Sequence, residues 1–328
     1  MTHIKGITIV WLSKTDLSNL NAGEGGGGNV TELKTYDNSK PYASGQSVRH
    51  ALREAIERNN PGVFRCTPES PCGDIENCWL CDLFGYLNPK LDEGFDRRWS
   101  PIKATPALGQ IASDIVTDLL IRMSEKPKPK TRRAQTEDEQ ENSDNEEQRK
   151  RDQRIAYVQM MSNVYRVGLS LDFANIGFAK KAKYDGTGNK AEFKGWEEIA
   201  NIELDERKKR AVAVLEAIGG ITDFAKQARN AASLSPDIFI ASIHSRYSHR
   251  TLRALECNDN GKVSTDTLKF ILKDLQDDGA KLFFGFTPSV VENDNELLET
   301  VKEFELEPMN PIQALRNLVK TVQNVSQE

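Results

Sequence analysis

The segment from Pro41 to Glu54, with the sequence PYASGQSVRHALRE, predicts a loop that leads directly into a helix. Apolar residues recur there at helical spacing and mark one buried face: Val48, Ala51, Leu52, Ala55 and Ile56. A second face holds Gln46, Arg49 and Arg53. The hydroxyls of Ser44 and Ser47 at a helix N-terminus, beside a short basic stripe, suit phosphate binding. An ordinary amphipathic helix with a solvated basic face is the alternative.

A glycine-rich loop at residues 19–29 comes before this segment, and a predicted strand at residues 4–12 comes before the loop. The loop contains Asn19, Asn21 and four consecutive glycines, which either stay flexible or order against a ligand backbone that approaches closely. Its spacing matches neither a P-loop nor a dinucleotide-binding fingerprint. The order strand, long loop, helix is typical of a unit in which strands and helices alternate.

Length and composition predict a soluble protein with room for a sizeable core, since the chain has 328 residues, of which 28% are charged. It contains no apolar run of about 18 residues and no signal-peptide pattern, so we expect a cytoplasmic protein without a membrane partner. The formal net charge is −5, but residues 137–147 contain seven acidic side chains. Without those seven the net charge is +2, so composition does not exclude a nucleic-acid partner.

Four of the five cysteines lie in a loop-rich segment with the spacing C-x5-C-x5-C-x2-C. They are Cys66, Cys72, Cys78 and Cys81. Four thiolates this close in sequence can surround one tetrahedral Zn²⁺, and a reducing cytoplasm disfavours disulfides. A cysteine-rich loop without metal is the alternative. If the protein fills all four positions, the predicted zinc is structural and has no open coordination position for catalysis.

Hydrophobic periodicity predicts the other elements. Helices are expected around residues 111–119, at 204–218, at 265–275 and from Pro311 onward, and extended segments at 100–109, 165–173, 237–243 and 281–287. Residues 178–190 predict a basic hairpin with a glycine turn, in which Lys180, Lys181 and Lys183 suit contact with a single nucleic-acid strand. An exposed edge hairpin protected by lysines is the alternative. Residues 124–153 predict a disordered charged insertion, because such a composition cannot bury a core.

The sequence contains no recognisable catalytic set, and neither a nucleophile elbow, a His-Glu-x-x-His motif nor a kinase set occurs. A second basic and aromatic patch at residues 244–250 contains Arg246 and Tyr247 between His244 and His249. These histidines could act as acid and base in RNA cleavage, although ordinary hydrogen bonding is the plainer interpretation. We therefore predict that the chain is not an enzyme.

The first strand, the Asn-Leu-Asn loop and the segment Tyr-Ala-Ser-Gly-Gln-Ser-Val-Arg-His-Ala-Leu-Arg resemble the CRISPR-associated backbone subunit of type I surveillance complexes, also called Cascade. The resemblance is to the DevR-type branch and suggests subtype I-B. It covers residues 4–54 and 165–244, about half of the chain. The Ser-Gly-Gln-Ser run with its two following arginines carries most of it, and the glycine run departs from the family pattern.

This resemblance implies an α+β fold shaped like a hand, in which an RRM-like (ferredoxin-like) palm of βαββαβ order carries finger and thumb insertions. The palm would comprise residues 1–60 and 161–328. The fingers would comprise residues 61–160, with the cysteine cluster at 66–81 and the charged segment at 124–153. The thumb would be a hairpin near residues 178–194.

The resemblance also implies a function: several copies line up along a guide RNA (crRNA), grip its backbone and leave its bases free to pair with a target DNA strand. Other Cascade subunits are further expected partners. The residues that match the family's RNA-binding positions, or lie on its motif, are Asn19, Asn21, Ser44, Gln46, Ser47, Arg49, His50 and Arg53. Lys180, Lys181 and Lys183 join them by topology, and Arg246 and Tyr247 by their place in the second patch.

Two other functions stay open on the sequence alone. One is a metal-independent endonuclease for CRISPR RNA that uses His244, Tyr247 or His249. The other is a protein-interaction scaffold held together by zinc.

Overall fold

The structure, a computed structural model, describes residues 4–21, 30–37, 39–90, 94–123, 153–186, 188, 191–224 and 230–325. The first seven strands are β1 (Gly6–Ser18), β2 (Val30–Thr31), β3 (Thr35–Tyr36), β4 (Lys40–Ala43), β5 (Tyr86–Lys90), β6 (Gly94–Arg98) and β7 (Ile102–Ala104). The others are β8 (Ala107–Gly109), β9 (Val116–Met123), β10 (Gln153–Asp172), β11 (Phe178–Asp185), β12 (Glu192–Asn201), β13 (Ile238–His244) and β14 (Lys281–Phe286). The α-helices are α1 (Gly45–Asn59), α2 (Leu204–Ile218), α3 (Thr265–Asp277), α4 (Asp294–Lys302) and α5 (Pro311–Gln323), and a π-helix spans Leu80–Phe84.

An antiparallel core lies within the largest sheet, in the order β13, β1, β10 and then β7 and β8, which pair with β10 one after the other and together occupy the fourth strand position. In β1, Ile9 lies opposite Leu169 of β10 on one side and opposite Ala241 of β13 on the other. Together with α1 and α2 these strands follow each other along the chain in the order βαββαβ, the split arrangement of the ferredoxin-like fold. The predicted α+β, RRM-like fold is therefore confirmed.

The central strand β1 is buried on both faces, because helices cover both sides of the sheet at this point. Ile7, Ile9 and Trp11 pack in one apolar cluster with α1, α2 and α5. Val10 and Leu12, which point the other way, pack in a second cluster with α3 and α4. Because side chains on both faces of β1 are buried in these clusters, its sequence is a nearly continuous apolar run.

Helix α1 forms where its apolar spacing predicted it and begins at Gly45, directly after Ser44. Its buried residues are Val48, Ala51, Leu52, Ala55 and Ile56, which is the predicted set. Ser44 caps the helix, since its side chain accepts a hydrogen bond from the backbone N–H of Ser47. The predicted helices at 204–218 and 265–275, the helix that begins at Pro311 and the strands at 237–243 and 281–287 are confirmed, with small shifts at their ends. The strand predicted at 165–173 is the second half of the longer strand β10, which begins at Gln153.

The helix predicted around residues 111–119 is wrong, because Val116–Met123 is a strand. This strand pairs antiparallel with the first part of β10, with Leu119 opposite Tyr157. Val116 and Leu119 are exposed, so no buried helical face exists here. The apolar spacing also fits a β-branched strand, and pairing with the long strand β10 decides between the two.

Two predictions fall on residues outside the described part of the chain: the glycine run within residues 22–29 and nearly all of the charged insertion at 124–153. Strands β9 and β10 pair up to the point where that insertion joins them, with Met123 opposite Gln153. The hairpin near 178–194 is present and extends to Asn201. The division into palm and fingers stays a prediction. None of the described helices is long and apolar enough to cross a membrane.

Candidate nucleic-acid interface

An open cleft of about 680 Å³ lies beside the N-terminal end of α1. The predicted RNA-binding residues that line it are Asn21, Ser44, Gln46, Ser47, Arg49, His50 and Arg53. Lys34 adds a further cation, and Glu69 and Asp223, the latter paired with Arg58, add two carboxylates. The cysteine loop, residues 66–81, also contributes Thr67, Pro68, Pro71, Leu80 and Cys81 to the lining. The structure therefore brings the start of α1 and the cysteine loop together around one cleft.

Asn21 holds the loop that leads into α1. Its Nδ2 donates to the carbonyl oxygen of Tyr42 at 2.7 Å, and its Oδ1 accepts from the backbone N–H of Ser44 at 3.0 Å. Asn19 is buried as well, and its Nδ2 donates to the carbonyl oxygens of Glu32 at 3.3 Å and Gln159 at 3.1 Å. The side chains of both asparagines thus bond within the protein and position the cleft.

The first turn of α1 presents polar groups without negative charge. The Oγ of Ser44 accepts from the backbone N–H of Ser47 at 3.2 Å, and the side chain of Gln46 is exposed. No acidic residue occurs in this turn. The partial positive charge at the start of a helix favours an anion there, so this turn is suited to a phosphate group.

Arg49 is tied to the protein itself. Its guanidinium donates to the carbonyl oxygens of Phe84 and Ile102, both at 2.8 Å, and to the Oγ of Ser100 at 3.2 Å. It also lies 5.3 Å from the centre of the Phe84 ring. Burial lowers the pKa of Arg49, and the neighbouring charge of Arg53 lowers it further. These contacts make Arg49 a brace between α1 and the segments around Phe84 and Ile102.

Arg53 and His50 lie further along the same face and are more accessible. The Nη2 of Arg53 lies 2.8 Å from Nδ1 of His50, and its Nε lies 3.6 Å from the Glu54 carboxylate. The side chain of Arg53 is 23% exposed and that of His50 is 52% exposed. Of the two arginines in the predicted stripe, Arg53 is the one with a charge available to a bound anion.

The four cysteines of the loop converge on one point. The sulfur atoms of Cys66, Cys72, Cys78 and Cys81 all lie within 4.8 Å of one another. The Cys66 sulfur lies 3.5 Å from that of Cys78 and 3.4 Å from that of Cys81. A tetrahedral ion with bonds of about 2.3 Å to sulfur requires separations of about 3.8 Å, so the cluster is compatible with zinc. Burial raises the pKa of the Cys66 and Cys81 thiols, and a bound cation would counter that shift.

A buried ion network, which the sequence analysis did not identify, anchors the far side of this loop. Asp82 is fully buried and accepts from Arg98, from Arg210 of α2 at 2.7 Å and from the backbone N–H of Gly177 at 2.9 Å. Arg210 also donates to the carbonyl oxygen of Ile75 at 2.8 Å and to Glu206 at 2.9 Å. The sequence feature that could have revealed this network is Arg210, an arginine on the buried side of α2, because a buried cation requires a partner.

The hairpin of β11 and β12 carries the predicted lysines among acidic and aromatic neighbours. In the strand register Lys180 lies opposite Glu198, and Lys181 lies opposite Glu197. The Nζ of Lys180 lies 4.8 Å from the centre of the Trp196 ring. All three lysines, Lys180, Lys181 and Lys183, are exposed. The hairpin is thus less basic than its first strand alone, and aromatic surface is its more distinctive property.

The second predicted patch lies at the end of β13. His244 is 5% exposed, its Nε2 lies 2.9 Å from the Oγ of Ser242, and burial lowers its pKa. The ring of Tyr247 packs over Gly6, where a Cβ atom would lie 2.7 Å from it, and stands edge-on to His249 at 5.0 Å. Arg246 and His249 are exposed. The two histidines therefore differ in access to solvent.

Comparisons with known proteins agree with this architecture. A family model described as CRISPR-associated negative auto-regulator DevR/Csa2 matches residues 53–265. A solved structure titled "CRISPR RNA-guided surveillance complex" has a TM-score of 0.52 at 13% identity and covers 96% of this chain and 99% of its own. Another, titled "CRISPR RNA-guided surveillance complex, pre-nicking", has a TM-score of 0.56 at 11% identity and covers 97% and 100%.

No curated protein sequence matches the chain significantly. At such low identities the two solved structures show a shared fold. The family match begins at Arg53, so among the predicted RNA-binding residues that line the cleft it includes Arg53 alone.

Proposed function

The chain belongs to the CRISPR-associated DevR/Csa2 family, and from this we propose that it is a non-catalytic subunit that binds guide RNA in a surveillance complex of the Cascade type. The observation that carries the proposal is the cleft beside α1, with its helix N-terminus, its hydroxyls and the cations Lys34 and Arg53. Such groups contact phosphates and carry no information about base identity. They suit a protein that holds a strand whose bases must stay free for pairing.

In this proposal the chain acts in several copies. The copies line up along the crRNA, other Cascade subunits complete the assembly, and the target DNA strand pairs with the exposed bases. Subtype I-B and a cytoplasmic location belong to the same proposal. Purification from cells with its natural partners tests it: the full chain is expected in a large particle with RNA of defined length, whereas RNA-free protein would favour the scaffold function.

RNA binding by the purified full chain is the direct test. A labelled single-stranded RNA should bind with affinity that falls steeply between about 50 and 200 mM salt, because phosphate contacts release counterions. RNAs of unrelated sequence should bind about equally well. No binding at the lowest salt, or a strong preference for one sequence, would overturn the proposal.

The endonuclease alternative is less well supported by the geometry of the second patch. An acid and a base must both reach the reacting phosphodiester, whereas His244 is buried and hydrogen-bonded to Ser242. We therefore expect labelled RNA to stay intact when it is incubated with the protein and a chelator. Cleavage that disappears in His249→Ala would establish the endonuclease function instead.

We also propose that the cysteine cluster holds one structural zinc ion through all four thiolates. The convergence of the four sulfur atoms, all within 4.8 Å of one another, supports this. Elemental analysis of purified protein is expected to give about one zinc per chain. The variant Cys78→Ser should lose the metal, whereas Cys257→Ser, outside the cluster, should retain it. Folded protein with four freely titrating thiols in this loop would refute the site.

A further inference from the structure

A groove of about 460 Å³ runs along the outer edge of β14, the strand at one end of the largest sheet. Residues 281–284 of β14 form its floor, and residues 305–307 with Met309 form one wall. The other wall is the side of α5 that carries Ala314, Asn317, Lys320 and Thr321. Helix α5 packs in the apolar cluster on one face of the sheet and Leu306 in the cluster on the other, so the walls stand on opposite sides of the strand edge.

The edge of β14 is paired at one end and open in the groove. The backbone N–H of Phe286 donates to the carbonyl oxygen of Met309 at 2.8 Å, and Met309 forms a parallel bridge with Gly285. Backbone groups of alternate residues point to opposite sides of a paired antiparallel strand, so those of Phe284 and Leu282 point outward as Phe286 does. Among the described residues, neither Phe284 nor Leu282 has a backbone hydrogen-bond partner on that side.

An extended peptide is the occupant that matches such an edge. Added as a further strand, it would bond Leu282 and Phe284 through its own N–H and C=O groups. The bridge to Met309 already places an extended neighbour at the Gly285 end of the same edge. A helix or an apolar small molecule has no row of backbone groups to offer, because a helix uses its own groups internally.

The charges of the two walls indicate which side chains this peptide carries. Lys320 is exposed on the α5 wall, and Glu305 and Glu307 are exposed on the other wall. None of the three has an ion-pair partner within the described part of the chain. Successive side chains of a strand point to opposite sides, so acidic residues toward α5 that alternate with basic residues toward Glu305 and Glu307 complement both walls.

We propose that the open edge of β14 binds an extended segment of a partner protein as an additional strand, with this alternation of acidic and basic side chains. The inference goes beyond RNA binding and does not depend on it. Strand β14 lies at one end of the sheet, whereas β4, which leads into α1 and the cleft, lies near the other end. A partner on β14 therefore leaves the cleft free.

The test uses a fluorescently labelled peptide, acetyl-Val-Lys-Glu-Lys-Val-Thr-amide, which as a strand carries its glutamate on one side and its lysines on the other. Fluorescence anisotropy should show saturable binding to the wild-type full chain. Bound peptide should slow hydrogen exchange at residues 281–286 and leave exchange in β10 unchanged. The absence of binding at about 1 mM peptide would overturn the inference.

Charge reversal tests the α5 wall. Lys320→Glu should weaken peptide binding about 5-fold, and a peptide with lysine in place of its glutamate should bind this variant better than it binds wild type. Arg316→Glu is the matched control, because Arg316 is exposed on α5 but does not line the groove. Equal effects of the two variants would show that the peptide responds to overall charge and would contradict the inference.

Leu282→Pro tests the backbone bonds. Proline removes the N–H that points into the groove, a change that an edge strand tolerates, so the variant should fold and lose peptide binding. Leu282→Val retains the N–H and should bind as wild type does. If the melting temperature shows that Leu282→Pro does not fold, the exchange of charges between Lys320 and the peptide decides the question.

Two further outcomes would overturn the inference. Binding that persists in folded Leu282→Pro would place the peptide elsewhere. A wild-type chain that dimerises at high concentration, and is returned to monomer by Leu282→Pro, would make a second copy the occupant instead of a different protein. RNA affinity should be the same in all these variants, so failure of the peptide to bind leaves the proposed function standing, and failure to bind RNA leaves this inference standing.

Discussion

Arg49 and Arg53 lie one helical turn apart on α1, yet their surroundings predict different effects of mutation. Arg49 donates to two backbone carbonyl oxygens and one hydroxyl within the protein. Arg49→Ala should lower the free energy of unfolding by about 2 kcal/mol, because buried carbonyl oxygens lose a charged donor. Thermal unfolding of the full chain measures this. An unchanged melting temperature would show that the brace contributes nothing to stability.

Arg53→Ala should instead affect RNA binding and leave stability nearly unchanged. The side chain is partly exposed in the cleft, so its loss should leave the melting temperature nearly unchanged and weaken binding of all RNA sequences alike. The slope of log affinity against log salt should fall in magnitude by about 0.7, the contribution of one phosphate contact on a single strand. Arg53→Lys retains the charge and serves as the control. An unaltered slope in Arg53→Ala would exclude a phosphate contact.

Loss of the Asp82 carboxylate should destabilise the protein strongly. Asp82→Ala leaves the guanidinium groups of Arg98 and Arg210 buried without their carboxylate, and breaking a buried ion pair costs about 3–5 kcal/mol. Asp205→Ala is the control, since the Asp205 side chain is 95% exposed in its pair with Lys208 and should change stability by less than about 1 kcal/mol. Denaturant unfolding compares the two variants, and equal effects would contradict this account.

The sequence could place these residues on a helix face but could not identify their partners. Helical spacing correctly put Arg49 and Arg53 beside each other and away from the apolar face of α1. The bond from Arg49 to Ile102 spans 53 positions of the chain, and that from Arg210 to Asp82 spans 128. Local periodicity contains no information about contacts at such separations, so an arginine that braces the fold and one that faces a ligand look alike in the sequence.

At the scale of elements, the cysteine loop should couple metal to RNA binding. The loop contributes Thr67, Pro68, Pro71 and Cys81 to the cleft, so removal of zinc should loosen one wall of the site. We expect chelation to increase hydrogen exchange at residues 66–81 and to weaken RNA binding, and added zinc to restore both. Exchange in β1 serves as the internal control and should stay slow. Unchanged RNA affinity in metal-free protein would show that the cysteine loop does not contribute to RNA binding.

The elements that sequence predicted well are those with a strong apolar period of their own. Helices α1, α3 and α5 each bury one clear stripe, the second half of α2 is buried nearly all round, and β13 is a short apolar run. The failure at residues 111–119 has the opposite cause: β9 exposes Val116 and Leu119 and exists because it pairs with β10. A strand that forms mainly because it pairs with a neighbouring strand need not show a clear apolar period in its own sequence.

For the whole molecule, the fold class was anticipated through the family resemblance, into which the predicted strands and helices fitted. The predicted strands and helices, placed in a βαββαβ palm through the resemblance, are found as β1, α1, β10, α2 and β13. What the order could not provide was the cleft itself, because the cleft depends on how the cysteine loop packs beside the start of α1.

The distribution of charge leads to a prediction for the molecule as a whole. Residues 137–147 contain seven acidic side chains in a chain whose formal net charge is −5. Replacing these eleven residues with a neutral Gly/Ser linker of equal length changes the net charge to +2. Because like charge repels RNA over about 10 Å at 0.1 M salt, the replacement should increase RNA affinity at low salt and have little effect at high salt.

The design of this variant separates charge from fold. The strands on either side of the insertion pair up to Met123 and Gln153, so a linker inside it leaves every described strand pair intact and the melting temperature should not change. A second linker of the same length that keeps seven glutamates is the control, and it should bind RNA as the wild type does. If both linkers raise the affinity equally, the native segment acts through its particular sequence or its bulk. If neither does, the acidic run exerts no field at the cleft, and the near-neutral charge of the rest of the chain is sufficient for RNA binding.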